Sequence, residues 1–335
     1  MKNDLKKRLL ALALLLTVLP AMLCLSGCAA APANSANSSN SGSLPDGESG
    51  GQGTEQNTPG APDAAQQTGQ IFASVEEYPL VDGSTAALPL MAQVLADTCG
   101  IPAEEAEVYC AASKTAQSWQ KLIGGGADLL LVYEMPESVR EYWQSSGVEL
   151  EMTPIGRDAL VFIVNEGNPV ESLTQAQLRD IYTGRVTDWA ALGGMDEPIT
   201  AFQRDESSGS QTLFAKLLMQ GETPMDAPAA LRPGMMGGLI DALAEYDGSA
   251  GAIGYSVFYY ASEMYQKPGL RFFAVDGVLP SAETIADGSY PLTNEFYAAI
   301  RADEPENSAA RRLYAWICGA GGRAALDKAG YVPAG

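Results

Sequence analysis

Near-continuous apolar runs alternate along most of the chain with apolar residues at three- and four-residue spacing. Residues 127–133 and 159–165 are the clearest runs, the pattern of strands covered on both faces. Helical spacing recurs in Leu88, Met91, Val94 and Leu95, in Trp119, Leu122 and Ile123, and in Ile240, Leu243 and Ala244. Pro89 places its residue in the first turn of its helix. A further helix is predicted over residues 173–182, capped by Ser172 or Thr174 and stopped by Gly184. Shorter strands are predicted at residues 80–81, 108–111 and 199–202. A glycine-interrupted strand at residues 251–255 suits a crossing between lobes. Helices are predicted around Tyr297, Ala298 and Ile300 and over residues 308–319. Strand and helix alternate, so the fold class is α/β.

The first 70 residues break this pattern. Lys2, Lys6, Lys7 and Arg8 precede an apolar run over residues 9–23. That run is shorter than the ~20 residues a membrane-spanning helix needs, and residues 1–27 read as an export signal. Leu25, Ser26 and Gly27 lead to Cys28, a sequence that resembles a bacterial lipobox with Cys28 as the lipidated residue. Residues 28–70 are small and polar, with Leu44 the one large apolar side chain. They cannot form a core and read as a disordered tether spanning roughly 35 Å as a coil. The mature chain is expected outside the cytoplasm, anchored to the cell membrane by the lipid on Cys28.

Composition narrows the chemistry. Hydrophobic residues make up 46% of the 335, enough for packed cores, and the formal net charge is −21. Residues 1–27 carry four basic groups and one acidic group, so their removal takes the charge to about −24. Such a surface argues against nucleic acid as a partner. An anionic ligand held by local dipoles remains open, because distant charge is screened beyond ~8–10 Å. The chain has no histidine, which removes Ser-His-Asp and Cys-His nucleophiles and the commonest metal ligand. Neither an enzyme, a cofactor nor a metal is expected. Cys99, Cys110 and Cys318 remain beyond Cys28; a Cys99–Cys110 disulfide and buried free thiols are both open.

Two stretches carry candidate binding chemistry. In residues 201–214 a strand end is followed by Arg204, then by Ser207, Ser208, Gly209 and Ser210 where a helix begins. The first turn of a helix offers unpartnered N–H groups and partial positive charge. Serines add donors, Gly209 admits close approach, and Arg204 is a planar cation suited to oxyanions. By itself this is also an N-cap cluster on a surface helix. A second strand–glycine–hydroxyl–helix arrangement stands at Asp82, Gly83, Ser84 and Thr85. Facing each other, the two would clamp an anion.

With these residues in view, the chain resembles the substrate-binding lipoproteins of phosphate-type ABC importers, a branch of the type II periplasmic binding proteins, over roughly residues 76–333. The resemblance is carried by Asp82-Gly-Ser-Thr85, Asp180-Ile-Tyr-Thr-Gly-Arg-Val-Thr-Asp-Trp189, Arg204 with Ser208-Gly-Ser210, Ala252-Ile-Gly-Tyr255, Tyr290-Pro-Leu292 and Gly330-Tyr-Val-Pro333, in the family's order. It implies a two-lobed fold, each lobe a mixed sheet flanked by helices, joined by two crossover strands. Lobe 1 would be residues 71–160 and 255–335, lobe 2 residues 161–254. It implies a monomer that captures phosphate or a related oxyanion between the lobes and delivers it to an ABC permease. The alternative is a surface sensor or interaction lipoprotein of the same fold.

Carried over, Ser84, Thr85 and the N–H of Ala86 line the first lobe, with Thr115 (or Ser113). Arg204, Ser208, Gly209 and Ser210 supply the second. The family's proton-accepting Asp is replaced by Tyr133, with Glu134 beside it. Either Glu134 takes that role or discrimination against sulfate is lost. The family's aromatic after Thr85 is replaced by Ala86.

Overall fold

The computed structural model describes residues 68–246 and 249–334. The expected export signal, Cys28 and the tether up to residue 67 lie outside the described residues. The strands are β1 (Val81–Gly83), β2 (Leu129–Val132), β3 (Leu150–Asn165), β4 (Ser172–Leu173), β5 (Thr200–Ala201), β6 (Ala252–Val257), β7 (Leu270–Phe272), β8 (Ala274–Val275), β9 (Thr293–Arg301) and β10 (Val332–Pro333). The helices used below are α1 (Leu88–Cys99), α2 (Ala103–Glu107), α3 (Thr115–Ile123), α4 (Gln175–Tyr182), α5 (Gly209–Leu213), α6 (Met236–Glu245), α7 (Ala309–Ile317) and α8 (Ala320–Lys328).

One long strand links the two halves of the fold. Along β3, residues 150–159 pair antiparallel with β9, and residues 160–164 pair antiparallel with β6. The strand order is β1-β2-β9-β3-β6-β5, with β10 and β7 also on β3. Parallel pairs (β1–β2, β5–β6) and antiparallel pairs occur in each half, so both sheets are mixed. All residues of β2 and β6 are buried, as expected of strands covered on both faces. β7 and β8 fall in a range expected for the first lobe. They pair instead with residues 163–165 of β3 and with β4, so the second half of the fold takes in residues 270–275.

A buried carboxylate stands at the crossover. Asp158 sits where β3 passes from β9 to β6, and its Oδ1 accepts the Ala159 N–H at 2.7 Å and the Tyr259 N–H at 3.1 Å. Tyr259 lies just past β6. One side chain therefore ties both crossover segments.

Local chemistry explains most elements. α4 begins at Thr174 with a reciprocal capping box to Gln177. Gly184 follows with φ of 74°. α1 carries Pro89 at its first turn and ends at Gly100 in the left-handed region. Two expectations fail. Residues 293–301 are not helical: β9 is a strand hydrogen-bonded on both sides, to β2 and β3. Its Phe296, Ala298 and Ile300 share one face at period two, and aromatic and β-branched content favours that form. Residues 108–111 are not a strand. They follow α2 in a turn, and Val108 is 65% exposed. α8 was not anticipated; its small residues give little helical signal.

Candidate ligand cleft

The two hydroxyl-bearing turns open on one cavity of about 360 Å³. On the first side, β1 ends at Gly83 and a single 3-10 turn, Thr85–Ala87, runs into α1. Ser84 is buried; its Oγ lies 2.8 Å from Thr115 Oγ1 and accepts the Tyr133 N–H at 3.1 Å. Thr115 opens α3, and Lys114 before it holds a φ of 67°. On the second side, β5 leads to Arg204, and Ser208 precedes α5, which passes into π-helical turns at Phe214–Met219. Ser208 Oγ and Ser210 Oγ are 2.9 Å apart. First-turn N–H groups have no intrahelical partner, so each side presents amide and hydroxyl hydrogens to the same space.

Eight of the nine expected ligand residues line this cavity: Ser84, Thr85, Ala86, Thr115, Arg204, Ser208, Gly209 and Ser210. Glu134 does not. Its carboxylate is taken by Arg140 at 3.2 Å and Lys216 at 2.8 Å. The acceptor role considered for Glu134 is withdrawn, because two cations already occupy it away from the cavity. Tyr133 is a wall of the cavity, but its hydroxyl donates to Asp158. Of the two candidate hydroxyls, Thr115 and Ser113, Thr115 lines the cavity. Ser113 instead donates its N–H and Oγ–H to Asp82, at 2.8 and 2.7 Å. Burial raises the Asp82 carboxyl, but bonds from Lys121, Ser113 and the Gly83 and Ser113 N–H groups outweigh it and hold it below its usual range. Asp82 thereby fixes the turn that carries Thr115.

Arg204 dominates the electrostatics. It is 5% exposed, its Nε donates to the Pro233 carbonyl at 3.1 Å, and its buried Nη1 has no partner. Its backbone N–H donates to the Tyr255 hydroxyl at 3.1 Å, and that ring stacks on Phe214 at 4.4 Å between centroids. Burial pushes the guanidinium below its usual range, with only partial relief from Asp205. A buried cation with an orphaned donor at a cavity is poised for an anion. Sequence reasoning passed over Lys114, which also lines the cavity. Its place between Ser113 and Thr115, in a hydroxyl-rich turn, was the available signal.

The lobes touch around the cavity. Lys114 Nζ donates to the Gly234 carbonyl at 2.9 Å, the Ala116 N–H to the Ser207 carbonyl at 3.4 Å, and Lys216 to Glu134. A Cβ on Gly209 would lie 2.5 Å from Thr115 Oγ1 and 3.6 Å from Tyr133 Cβ. Cys99, Cys110 and Cys318 are free thiols; burial pushes Cys99 to about 11 and Cys110 to about 12. No group of three or more His, Cys, Asp or Glu suited to a metal occurs among the described residues.

Comparison with known proteins agrees with this architecture. Residues 54–319 match the profile of a PBP superfamily domain. The chain is 30% identical over 129 residues to the phosphate-binding protein PstS of Bacillus subtilis, covering 38% of this chain and 40% of that protein. It is 22% identical over 221 residues to PstS of Staphylococcus saprophyticus, covering 64% of this chain and 67% of that protein. The Bacillus relative is thus matched over less than two thirds of its length. Among solved structures, an ABC-type phosphate transport receptor from Vibrio cholerae superposes with a TM-score of 0.56 at 21% identity, covering 75% of this chain and 98% of that one. A substrate-binding protein from Clostridium perfringens with bound phosphate gives 0.57 at 21% identity, covering 76% and 98%. The profile spans most of the chain and the topology is that of two lobes joined at β3 and β6: the chain belongs to the PBP superfamily.

Proposed function

We propose that this protein captures phosphate or a closely related oxyanion between its lobes and delivers it to an ABC importer. It would work outside the cytoplasm as a monomer, tethered through residues 28–70 to a lipid on Cys28. The observation that carries the reading is Arg204: buried, short of a partner at Nη1, and lining one cavity with the hydroxyl pairs Ser84–Thr115 and Ser208–Ser210. An anion there would supply the missing counter-charge and acceptor, and donors from both lobes would make the closed form the one that binds better. The phosphate-binding names of the relatives favour phosphate among oxyanions. Among the described residues no helix is long and apolar enough to cross a membrane.

The cavity lining holds one carboxylate, Asp241, and it is engaged by Lys267 at 2.8 Å and the Tyr265 hydroxyl at 2.8 Å. Hydroxyls both donate and accept, so a protonated anion is accommodated without being required. Calorimetry on the detergent-solubilised chain with phosphate, sulfate and molybdate tests the reading. Saturable binding of phosphate supports it; no heat with any oxyanion removes it. Delivery is tested by phosphate uptake in cells with and without the gene.

A further inference from the structure

The cavity is larger than a bare tetrahedral anion requires. At ~30 Å³ per water, a five-atom anion displaces roughly two or three waters, under about 100 Å³. The cavity of about 360 Å³ persists with the lobes in contact through Lys114, Ala116 and Gly209. That volume falls in the range of about 300–1,000 Å³ that encloses small organic ligands.

Besides the cradle residues, the same cavity is lined by Met235 and Met236, Val257, Tyr260, Tyr265 and Asp241. The two tyrosine rings stack at 5.8 Å with 16° between planes. The Tyr265 hydroxyl is spent on Asp241, and Asp241 on Lys267. With the Asp241 carboxylate engaged, ring faces, thioethers, backbone and the Tyr260 hydroxyl are what these walls present. Gly238 contributes no side chain, although a Cβ there would meet only Pro233 Cβ at 3.5 Å and Met235 Cβ at 4.0 Å, ordinary contacts. The loop that carries these residues is tied to the cradle by Arg204 Nε on the Pro233 carbonyl and Lys114 Nζ on the Gly234 carbonyl. Cradle and apolar end are one continuous site.

We propose that this site takes an organic phosphate or phosphonate, whose anionic head sits at Arg204 and whose small substituent fills the end walled by Met236, Tyr260 and Tyr265. The inference rests on the oxyanion reading above and deepens it. The head needs the same donors as inorganic phosphate. The substituent gains by leaving water for an apolar wall, on the order of tenfold or more in affinity for a group of a few carbons.

The test is calorimetry on the full chain with inorganic phosphate, methylphosphonate, glycerol 3-phosphate and phenyl phosphate. At least one organic probe is expected to bind tenfold or more tighter than inorganic phosphate. Gly238→Leu, which adds a side chain to the cavity lining beside Met235, should weaken that probe at least tenfold and leave inorganic phosphate within threefold. Inorganic phosphate binding as tightly as every organic probe overturns the inference while leaving oxyanion capture standing. So does a Gly238→Leu variant that weakens both alike. The wild-type comparison stands without the variant should Gly238→Leu fail to fold. Silence from all four probes removes both readings.

Discussion

Gly209 is where lobe closure is most sensitive to a single carbon. Its φ is not in the left-handed region, so alanine meets no backbone penalty there. The obstacle is steric and lies across the cleft: the new Cβ would sit 2.5 Å from Thr115 Oγ1. Thr115 can turn away only by giving up its 2.8 Å bond to Ser84 Oγ. Loss of a buried hydrogen bond costs about 0.5–1.5 kcal/mol, and overpacking by one carbon costs about 1–3 kcal/mol. The cost falls on the closed form alone, because opening the lobes separates Gly209 from Thr115. The two are alternative ways of relieving the same clash, and taking the larger, about 1–3 kcal/mol, Gly209→Ala should weaken oxyanion binding about 5- to 150-fold. Titration calorimetry reads the affinity, and thermal melting of the ligand-free protein should shift by no more than ~2 °C. A Thr115→Ala partner, itself weakened by losing a donor, should lose little more when Gly209→Ala is added. Unchanged affinity in Gly209→Ala would refute the contact; a matching loss of ligand-free stability would show that the clash is not specific to closure.

Arg204→Met should weaken anion binding by about 2–4 kcal/mol, roughly 30- to 1,000-fold, and leave ligand-free stability unchanged or higher, since it removes a buried cation with an orphaned Nη1; a normal titration would misplace the site. Glu134→Gln should leave the phosphate-to-sulfate preference within twofold and weaken both by no more than about fivefold, the worth of a half-exposed ion pair to Lys216; a changed preference would return Glu134 to the cradle. Burial pushes the Asp158 carboxyl up to about 6, against donation from Tyr133 and the N–H groups of Ala159, Tyr259 and Phe258. A raised carboxyl stabilises the fold when protonated, so its contribution is full below about pH 4 and lost as pH rises through 6, about 3 kcal/mol in all. Urea melts from pH 4 to 7 should show wild type losing that much relative to Asp158→Asn, and parallel curves would sink the assignment.

Much of this molecule was readable from residue order. The apolar runs at 127–133 and 159–165 contain buried strands because a strand covered on both faces needs apolar residues at every position. The cap, narrowed to Ser172 or Thr174 and found at Thr174, and the turn at Gly184 were legible because capping and positive φ depend on neighbours only a few residues away. The same locality made Arg204, Ser208, Gly209 and Ser210 recognisable as one group. What the chain order could not convey is which distant residues meet. Tyr297 and Ile300 satisfy a helical spacing while Phe296, Ala298 and Ile300 satisfy an alternating one, and only hydrogen bonds to β2 and β3, more than 130 residues away along the chain, select the strand. Glu134 stands beside the cleft in sequence, yet Arg140 and Lys216, brought by other elements, claim its charge. Packing likewise decided the size of the cavity, since a cavity is a property of walls drawn from separate segments, here residues 234–238, 241, 257, 260 and 265 beside the cradle.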